Sequence, residues 1–495
     1  MKILRRISQI IFLFLFLFLL IQTEYRGRDS IAYPVKIFLE LDPLVFIATL
    51  IATHKVIGGL LLCLFVVAIT VTVGRIFCGW VCPLGSLHNA LSFAKRKRYL
   101  NQAQGQYDSA QAVKYYVLIF LLIGALFSFQ FIGIFDPLSL LIRSLSLAVF
   151  PALSFLTELT LRKNFLSFRQ PYYRDAVLFG LILLGVLLVN IKRRRLWCKY
   201  ICPLGTLLGL LSFCNIVKLK VNEQCNSCMS CCAVCQGGCS PNSSKDWRRQ
   251  ECFICFNCVK ECPKKAISFG FSFTDALRPN AVDIKRRHII QSLLGGLFIF
   301  PLLKINPSAK LESPGLIRPP GSKNEGEFLS RCIRCSECMK VCLTGGLQPV
   351  TFEAGIEGIW TPVLVPRIGY CEFNCTLCSQ VCPTGAIGKI SLKEKQHLKI
   401  GLAFIDKNRC LPHAFGIDCI VCEEHCPTSP KAIRFKEVRT MTEGGTEALL
   451  KQPLVDPGRC IGCGICEYKC PVIDRPAIYI TSINESRSNN NVLTV

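Results

Sequence analysis

Cysteine is the residue type with which this sequence can do chemistry, because the 495-residue chain holds 32 of them. So many cysteines are expected to be disulfide partners, zinc ligands or iron–sulfur ligands, and their spacing decides among these. The stretch from Cys252 to Pro263 reads C-x2-C-x2-C-x3-C-P. In this run three thiolates hold one [4Fe-4S] cluster and the fourth reaches a neighbouring cluster. Zinc sites usually show two separated C-x2-C pairs, so the spacing favours iron–sulfur.

Six quartets of this kind lie between residues 225 and 470. In the first run, CNSCMSCCAVCQGGC, the extra Cys232 and Cys239 allow two registers. We prefer the register whose spacing equals that of the next quartet, and we expect the two quartets to exchange their last ligands. The preferred ligand sets are Cys225, Cys228, Cys231 and Cys262 for one cluster and Cys252, Cys255, Cys258 and Cys235 for the other. The alternative register is Cys228, Cys232, Cys235 and Cys239.

Four further quartets follow in the C-terminal part of the chain. They are Cys332, Cys335, Cys338 and Cys342; Cys371, Cys375, Cys378 and Cys382; Cys410, Cys419, Cys422 and Cys426; and Cys460, Cys463, Cys466 and Cys470. Disulfides are the alternative for an exported domain, but cysteines this close in sequence are poor partners for unstrained bridges. The spacing leaves open whether neighbouring quartets pair, or whether the first pairs with the last and the middle two together.

Four more cysteines belong to an internal repeat. FCGWVCPLGSL (residues 77–87) and WCKYICPLGTL (residues 197–207) each close an apolar run, and each repeat has an upstream DPL at Asp42 or Asp136. Cysteines four apart on a helix share one face, so the two halves can present four thiols to one another. The interpretation is an additional redox or metal site; the alternative is thiols that only pack. The four cysteines are Cys78, Cys82, Cys198 and Cys202.

These repeats require a membrane domain to position them. The chain is 51% hydrophobic with a mean hydropathy of +0.40, and apolar runs of spanning length cover about residues 7–22, 56–73, 115–135 and 176–191. A cleavable signal peptide is the alternative for the first run, but no small-residue cleavage site follows it. We therefore predict four spans.

The basic residues indicate an orientation. Clusters at Lys95–Arg98 and Lys192–Arg195 follow the second and fourth runs, which places them and the N-terminus in the cytoplasm. Residues Arg162, Lys163, Arg169 and Arg174 lie in a loop that this assigns to the outside, and they argue against it.

The formal charge of +25 does not indicate nucleic acid as a partner. Each bound cluster with four thiolates carries about −2, so six clusters lower the total by about 12, to about +13. We expect no nucleic-acid partner.

The segment between the two cysteine-rich regions contains Arg286-Arg287-His288-Ile289-Ile290, which fits the core of a twin-arginine export signal. This pathway exports domains already folded around their cofactors. The alternative is a buried helix or a basic cytoplasmic flank. We interpret the segment as a fifth, retained span that carries the last domain outward.

The predicted fold class is an α-helical membrane domain of four spans plus a fifth, with α+β ferredoxin-like 4Fe-4S domains. The predicted domains are a membrane domain (1–214), a dicluster ferredoxin domain (215–275), the twin-arginine-like span (283–306), a linker (307–326) and a four-cluster ferredoxin domain (327–495).

These motifs carry a family resemblance. Residues 1 to about 275 resemble the membrane subunit of quinol dehydrogenases that feed periplasmic nitrate reductase, with paired C-x3-C-P motifs and a dicluster tail. Residues from about 283 to 485 resemble the exported four-cluster partner subunit, and the stretched CLPHAFGIDCIVCEEHCP is similar to maturation ferredoxins of methylamine dehydrogenase. The chain departs from the pattern in lacking a proline after Cys342 and in having the surplus Cys232 and Cys239.

The resemblance implies an electron-transfer component of a quinol dehydrogenase in the bacterial inner membrane, with six [4Fe-4S] clusters and a periplasmic C-terminal domain. Electrons would pass from the quinone pool to a periplasmic redox enzyme or cytochrome. Two alternatives are an assembly or reactivation ferredoxin for a periplasmic metalloenzyme, and a cytoplasmic ferredoxin–quinone reductase.

No catalytic residue is assigned from the sequence. Asp42, Asp136 and His88 are possible acceptors of quinol protons, but a helix-capping role explains each DPL aspartate better. Because about 30 Å of hydrocarbon separates the two sides of a membrane, a connection between cytoplasmic and exported clusters is also needed. The four repeat cysteines, mobile quinone or a second subunit are the candidates.

Overall fold

A computed structural model describes residues 1–94, 107–161, 173–244, 246–271, 284–305, 313–441, 447–488 and 491. The basic cluster Lys95–Arg98, three of the four basic loop residues (Arg162, Lys163 and Arg169) and parts of the predicted linker lie outside the described residues. The chain forms two compact units. The first comprises residues 1–22, 33–145 and 177–303, and the second comprises residues 23–32, 146–176 and 304–495.

The described part of the chain is rich in helices. They are α1 (Lys2–Gln22), α2 (Ile37–Glu40), α3 (Pro43–Thr53), α4 (Cys63–Thr72), α5 (Pro83–Ala94), α6 (Val113–Leu126), α7 (Ile132–Phe135), α8 (Pro137–Ser144), α9 (Phe150–Leu161), α10 (Ala176–Lys192), α11 (Leu196–Tyr200), α12 (Pro203–Leu211), α13 (Ser230–Ala233), α14 (Asn257–Glu261), α15 (Arg286–Ile305), α16 (Glu325–Arg331), α17 (Glu337–Lys340), α18 (Leu377–Gln380), α19 (Leu392–His397), α20 (Val421–Glu424) and α21 (Ile465–Lys469).

Short strands pair in twos. They are β1 (Val217–Val221), β2 (Ile267–Phe271), β3 (Leu347–Pro349), β4 (Pro362–Leu364), β5 (Leu402–Ile405), β6 (Ile433–Met441), β7 (Glu447–Val455) and β8 (Ile478–Thr481). The antiparallel pairs are β1–β2, β3–β4, β5–β8 and β6–β7.

Four described helices are long and apolar enough to cross a membrane: Lys2–Gln22, Ser109–Leu126, Pro137–Thr160 and Arg286–Ile305. Three of them match the predicted first, third and fifth runs. The predicted runs at 56–73 and 176–191 are shorter apolar helices, Gly58–Thr72 and Ala176–Lys192. These four long helices indicate a membrane protein.

The helix Pro137–Thr160 was not predicted, because Arg143 interrupts its apolar sequence. The structure buries this arginine and gives it partners. Its guanidinium donates to the carbonyl oxygens of Gly133 at 3.3 Å and Ile134 at 3.4 Å, and it lies 5.6 Å from the ring centroid of Phe179. A buried arginine whose guanidinium has hydrogen-bond partners is compatible with an apolar helix. The charge of Arg143 is therefore no obstacle to the long apolar helix at residues 137–160.

The two DPL motifs cap helices, as predicted. The Asp42 carboxylate accepts from the amide of Leu44 at 2.7 Å at the start of α3. The Asp136 carboxylate accepts from the amide of Ser139 at 2.7 Å at the start of α8. A side-chain acceptor at the N-cap satisfies amides that the first turn leaves unpaired.

Helix α15, which begins with the paired arginines, packs against α6 in the first unit. Phe300 is 1% exposed, and a Cβ built on Gly124 would lie 2.7 Å from its ring. A Cβ on Gly296 would lie 2.9 Å from Ile123, so glycines on both helices allow this close approach. Most of α15 is exposed, including Phe298 and Leu302, which suits contact with lipid.

The cysteine-rich part of the first unit is built around β1 and β2, in which Val217 pairs with Phe271 and Val221 pairs with Ile267. Its core combines the thiols with Leu219, Trp247 and Ile254. Two short helices, α13 and α14, end the cysteine loops.

The second unit contains the four C-terminal quartets and three strand pairs. The pair β5–β8 joins distant parts of the chain, with Leu402 opposite Thr481. Glu325, the first residue of α16, binds Arg318 and Arg487, each at 2.6 Å, and these three side chains are largely buried. These contacts tie the start of the domain to its end.

Candidate iron–sulfur relay

We name the six cysteine triplets in chain order. They are site 1 (Cys225, Cys228, Cys231), site 2 (Cys252, Cys255, Cys258), site 3 (Cys332, Cys335, Cys338), site 4 (Cys371, Cys375, Cys378), site 5 (Cys410, Cys419, Cys422) and site 6 (Cys460, Cys463, Cys466).

Sites 1, 2, 3 and 6 share one backbone device. In each, the residues just before and just after the middle cysteine have positive φ angles. The pairs are Ser227 and Met229, Ile254 and Phe256, Arg334 and Ser336, and Gly462 and Gly464. Sites 4 and 5, whose first two cysteines are spaced differently, have no such pair among their described residues.

This conformation has a chemical meaning. A left-handed residue with a side chain costs of order 1–3 kcal/mol, and such strain persists at functional sites. Alternating right- and left-handed residues aim successive amide N–H groups into one concavity, a nest that binds anions and iron–sulfur clusters. The residues therefore fit an anionic cluster held by three thiolates.

In the second unit the first two quartets exchange their last cysteines. Cys382 lies within electrostatic range of Cys332, Cys335 and Cys338. Conversely, Cys342 lines one small cavity together with Cys371, Cys375 and Cys378. Sites 3 and 4 therefore form one pair.

The last two quartets behave in the same way. Cys470 lines a cavity with Cys410, Cys419 and Cys422. Cys426 lies within electrostatic range of Cys460, Cys463 and Cys466. The spacing left the pairing open, and the geometry pairs neighbouring quartets.

The two pairs meet through sites 4 and 6. The amide of Cys371 donates to the carbonyl oxygen of Cys463 at 2.8 Å, which joins a ligand of each site. The rings of Tyr370 and Tyr468 lie beside them, 5.3 Å apart. The spatial order of the sites is therefore 3, 4, 6, 5, which differs from their order in the sequence.

In the first unit, Cys235 lies near Cys255 and Cys258, in agreement with the preferred exchange. Its sulfur is also 3.4 Å from that of Cys239. A hydrogen bond from Cys239 lowers the pKa of Cys235 to about 6, against the effect of burial. Both thiols adjoin site 2, so the choice of fourth ligand there stays open. The assignment of Cys262 to site 1 stays a prediction.

Burial has the largest effect on the pKa values of these thiols in the second unit. It raises the pKa of Cys335 and Cys466 well above the ordinary value, and it raises that of Cys375 to about 12. Only thiolates bind iron, so the positive charge of the metal has to drive their ionisation. Among the described residues, no three His, Cys, Asp or Glu side chains come close enough for a single metal ion.

The structure places the four repeat cysteines near one another in the first unit, within electrostatic range. Cys78 lies in a π-helical turn, Phe77–Val81, and Cys198 lies in α11. The Cys202 sulfur accepts from the amide of Gly205 at 3.2 Å. We call Cys78, Cys82, Cys198 and Cys202 the four-cysteine site; its role as a redox or metal site remains a prediction.

Two arginines that we did not predict flank this site. Arg195 donates to the carbonyl oxygens of Cys78 and Gly85, both at 3.0 Å. Arg75 lies within electrostatic range of Cys78 and Cys202. A signal was present in the sequence, since each arginine precedes its repeat's first cysteine by three residues. Both are 1% exposed or less, so they offer fixed positive charge to a set of thiolates.

The four-cysteine site adjoins site 2. The guanidinium carbons of Arg75 and Arg195 each lie 4.8 Å from the ring centroid of Phe253, which stands between Cys252 and Cys255. The Trp80 indole donates to the carbonyl oxygen of Ile254 at 3.0 Å. A Cβ on Gly79 would lie 2.4 Å from the Phe253 carbonyl oxygen, so only glycine permits this approach.

A buried carboxylate balances part of this charge. Glu251 accepts from Arg75 at 3.4 Å and from the Tyr115 hydroxyl at 3.1 Å, and it also pairs with Lys114. All four side chains are buried. Such a network fixes the arginines in position, because removing one partner leaves a buried charge unpaired.

Two families match parts of the chain. A family described as "4Fe-4S binding domain" matches residues 56–101 and 176–220, which contain the two C-x3-C-P repeats. A family described as "4Fe-4S dicluster domain" matches residues 416–473, which contain most of sites 5 and 6.

Similar proteins are ferredoxin-type proteins. The chain is 34% identical to ferredoxin-type protein NapG of Escherichia coli over 34% of its own length and 71% of the relative. It is 34% identical to methylamine utilization ferredoxin-type protein MauM of Methylorubrum extorquens, over 36% of its length and 76% of the relative. Ferredoxin-type protein NapF of Escherichia coli is 32% identical over 33% of the chain and 85% of the relative. No solved structure is significantly similar.

Proposed function

The chain belongs to the family of ferredoxin-type iron–sulfur proteins that includes NapG and MauM, and from this premise we propose that it oxidises quinol at the inner membrane. Electrons then pass through six [4Fe-4S] clusters to a redox enzyme or cytochrome outside the cytoplasm. Electron transfer by an iron–sulfur protein is the property of the family; quinol as donor and the periplasmic acceptor are the proposed parts.

The single observation that carries the proposal is the contact between the four-cysteine site and site 2. Phe253 lies against two arginines of the apolar helical repeats while its chain neighbour Cys252 belongs to site 2. A redox centre at site 2 therefore adjoins the apolar helices of the chain. A lipid-soluble donor dissolves in the membrane that surrounds such helices. Electron tunnelling falls steeply with distance, so such adjacency supports a direct route from quinol to the clusters.

The packing of the second unit supports an exported four-cluster domain. Asp29, in the loop after the first span, accepts from the amide and the hydroxyl of Thr376, both at 2.7 Å. The Gln380 side chain accepts from the amide of Ile31 at 3.1 Å. With the N-terminus in the cytoplasm, a loop that follows one span lies outside, and the domain that binds it lies there too.

These contacts also support a direction for the proposed relay. Tyr25 and Ile31 pack against Val341 and Leu377, beside sites 3 and 4. In the proposal, sites 3 and 4 receive electrons first, because they lie beside the loop that follows the first apolar helix, and site 5 is the last in the series. The four-cysteine site is the candidate for an additional centre that shortens the path through the membrane.

Reduction of the clusters by quinol tests the proposal. Full-length protein is purified anaerobically, oxidised, and mixed with a reduced menaquinone analogue while the cluster absorbance is followed. We expect bleaching that reverses when an acceptor is added. Bleaching by dithionite but not by quinol would remove the dehydrogenase function and favour the assembly or reactivation ferredoxin.

Reporter fusions test the side of the membrane. Alkaline phosphatase is joined after Lys310 or at the C-terminus, where activity requires export. We expect activity at both positions, and lower activity when Arg286 and Arg287 are both replaced by lysine. Inactive fusions would favour the cytoplasmic ferredoxin–quinone reductase.

A further inference from the structure

A cavity of about 360 Å³ lies in the first unit beside site 2. The N-terminal half of α1, helix α5 and the short helix α14 contribute to its walls. Its polar lining includes Arg5, Gln9, Asn89, Gln236 and Asn257, and its apolar lining includes Ile10, Leu13, Ala90 and Val234. A volume of this size suits a small organic ligand, and the mixed lining suits one with polar groups on an apolar body.

The polar wall is an ordered network. Gln9 donates to the carbonyl oxygen of Gly79 at 2.7 Å, and Asn89 donates to Gln9 at 2.9 Å. Gln236 donates in turn to Asn89 at 2.6 Å. Arg5 donates to Gln236 at 3.5 Å and to Asn257 at 3.3 Å. The wall therefore runs from the turn that holds Cys78 to α14, which holds Cys258 of site 2.

Arg5 has capacity to spare for a ligand. Its side chain is 1% exposed, and its Nε has no hydrogen-bond acceptor among the described residues. Its two bonds to amide oxygens are long, at 3.3 and 3.5 Å. A buried guanidinium with an unmet donor favours an oxygen acceptor in the cavity, because an unsatisfied buried donor is costly.

The position of the cavity relates it to both lipid and cluster. Arg5 lies within electrostatic range of Cys255, a ligand of site 2, and Asn257 adjoins Cys258. On the other side, Ile10 is 55% exposed on the first apolar helix. A ligand with a polar ring and a hydrocarbon tail can place the ring beside Arg5 and leave the tail in lipid.

We infer that this cavity binds the quinol headgroup, an inference that rests on the proposed function. The Arg5 guanidinium and the amides of Gln9 and Asn89 hold the two ring oxygens. On oxidation both O–H bonds of the quinol would break and two electrons would leave, one for each of the clusters that the cysteines of sites 1 and 2 would hold. The two protons pass to water.

Binding of a quinol analogue tests the site. Full-length protein in detergent is titrated with 2-heptyl-4-hydroxyquinoline N-oxide, and binding is followed by quenching of the analogue's fluorescence. We expect Gln9→Leu and Asn89→Leu each to weaken binding about tenfold, because each loses a hydrogen bond to the ring oxygens. Gln22→Leu makes the same chemical change at the other end of α1 and should bind as the unaltered protein does.

Cluster reduction separates the inference from the proposed function. The two cavity variants should keep full iron content and bleach with dithionite, yet bleach with quinol about tenfold more slowly. If quinol bleaches the unaltered protein and both variants equally, the cavity is wrong and the dehydrogenase stands. If quinol bleaches none of them, both ideas fail. If both variants bind the analogue as tightly as the unaltered protein does, the cavity is not the quinol site. A phospholipid would then be its occupant.

Discussion

Gly462 precedes the middle cysteine of site 6 and has a φ angle of +73°. Ser227, Ile254 and Arg334 occupy the same position at sites 1, 2 and 3. Residues with a side chain are strained at a positive φ angle, whereas glycine adopts it without strain. Gly462 has a second constraint, since a Cβ there would lie 2.5 Å from the backbone of Gly401. The same backbone device is therefore built from different residues according to the space around each site.

We predict that Gly462→Ala disrupts site 6. The added methyl forces the loop away from Gly401, so the chain should lose about four iron atoms, one cluster's content. Iron and acid-labile sulfide analysis measures this. Gly315→Ala, whose Cβ would meet nothing closer than 3.8 Å, is the control and should keep all its iron. Full iron in Gly462→Ala would contradict the nest geometry.

Glu325 gives a prediction about pH. Burial raises its pKa, but the charges of Arg318 and Arg487 outweigh burial and lower it from 4.5 to about 2. A lowered pKa in the folded state means that the carboxylate stabilises the protein above pH 4.5 and that this stability is lost as pH falls towards 2. The difference corresponds to about 3 kcal/mol at neutral pH.

Glu325→Gln should therefore lower the temperature at which heating bleaches the clusters at pH 7, and lower it by less as the pH falls below 4.5 towards 2. Glu394→Gln, at an exposed capping position of α19, should have little effect. An equal effect of both variants would show that the buried pair adds no stability of its own.

At the scale of elements, the loops rather than the strands set the order of the relay. Sites 4 and 6 are joined by the bond from Cys371 to Cys463, while site 5 pairs with site 6 through their exchanged last cysteines. Removing site 6 should therefore cut site 5 off from the others.

We predict that Cys463→Ala leaves site 5 magnetically isolated. In dithionite-reduced protein, electron paramagnetic resonance should then show an uncoupled signal together with the coupled pair of sites 3 and 4. Cys419→Ala, which removes site 5 itself, should leave sites 3, 4 and 6 coupled. Three coupled clusters in Cys463→Ala would indicate that the sites follow their sequence order instead.

The turn Phe77–Val81 and the loop of site 2 form a second contact between elements. Gly79→Ala should push the Phe253 backbone away, because its Cβ would lie 2.4 Å from that carbonyl oxygen. We predict unchanged iron content but slower reduction by quinol, measured by stopped-flow absorbance. Gly185→Ala, in the open on α10, should reduce at the normal rate. Equal rates would exclude this contact from the electron path.

At the scale of the whole molecule, the number of iron atoms summarises the assignment. Six occupied sites require about 24 iron atoms per chain, and an additional centre at the four-cysteine site would add two to four. We predict the larger number. Replacing Cys78 and Cys198 together by serine should bring it back to about 24, measured by iron and sulfide analysis. A count of about 24 in the unaltered protein would reduce the four-cysteine site to packing.

The sequence alone was enough to find the helix-capping aspartates Asp42 and Asp136 and three of the four long apolar helices, and it was enough to predict the cysteine quartets as cluster ligands. All of these depend on residues close together in the chain, where spacing translates directly into loop geometry or helix length. The long apolar helix at residues 137–160 was not predicted, because the local sequence does not show the partners of Arg143.

Only the tertiary structure decided which quartets exchange their last cysteine, which sites adjoin, and what surrounds the four repeat cysteines. Cys371 meets Cys463 across 91 intervening residues, and Arg195 meets Cys78 across 116. Spacing carries no information about contacts at that separation. They follow from how helices and loops pack, since burial and hydrogen bonding select among arrangements that the local sequence permits equally.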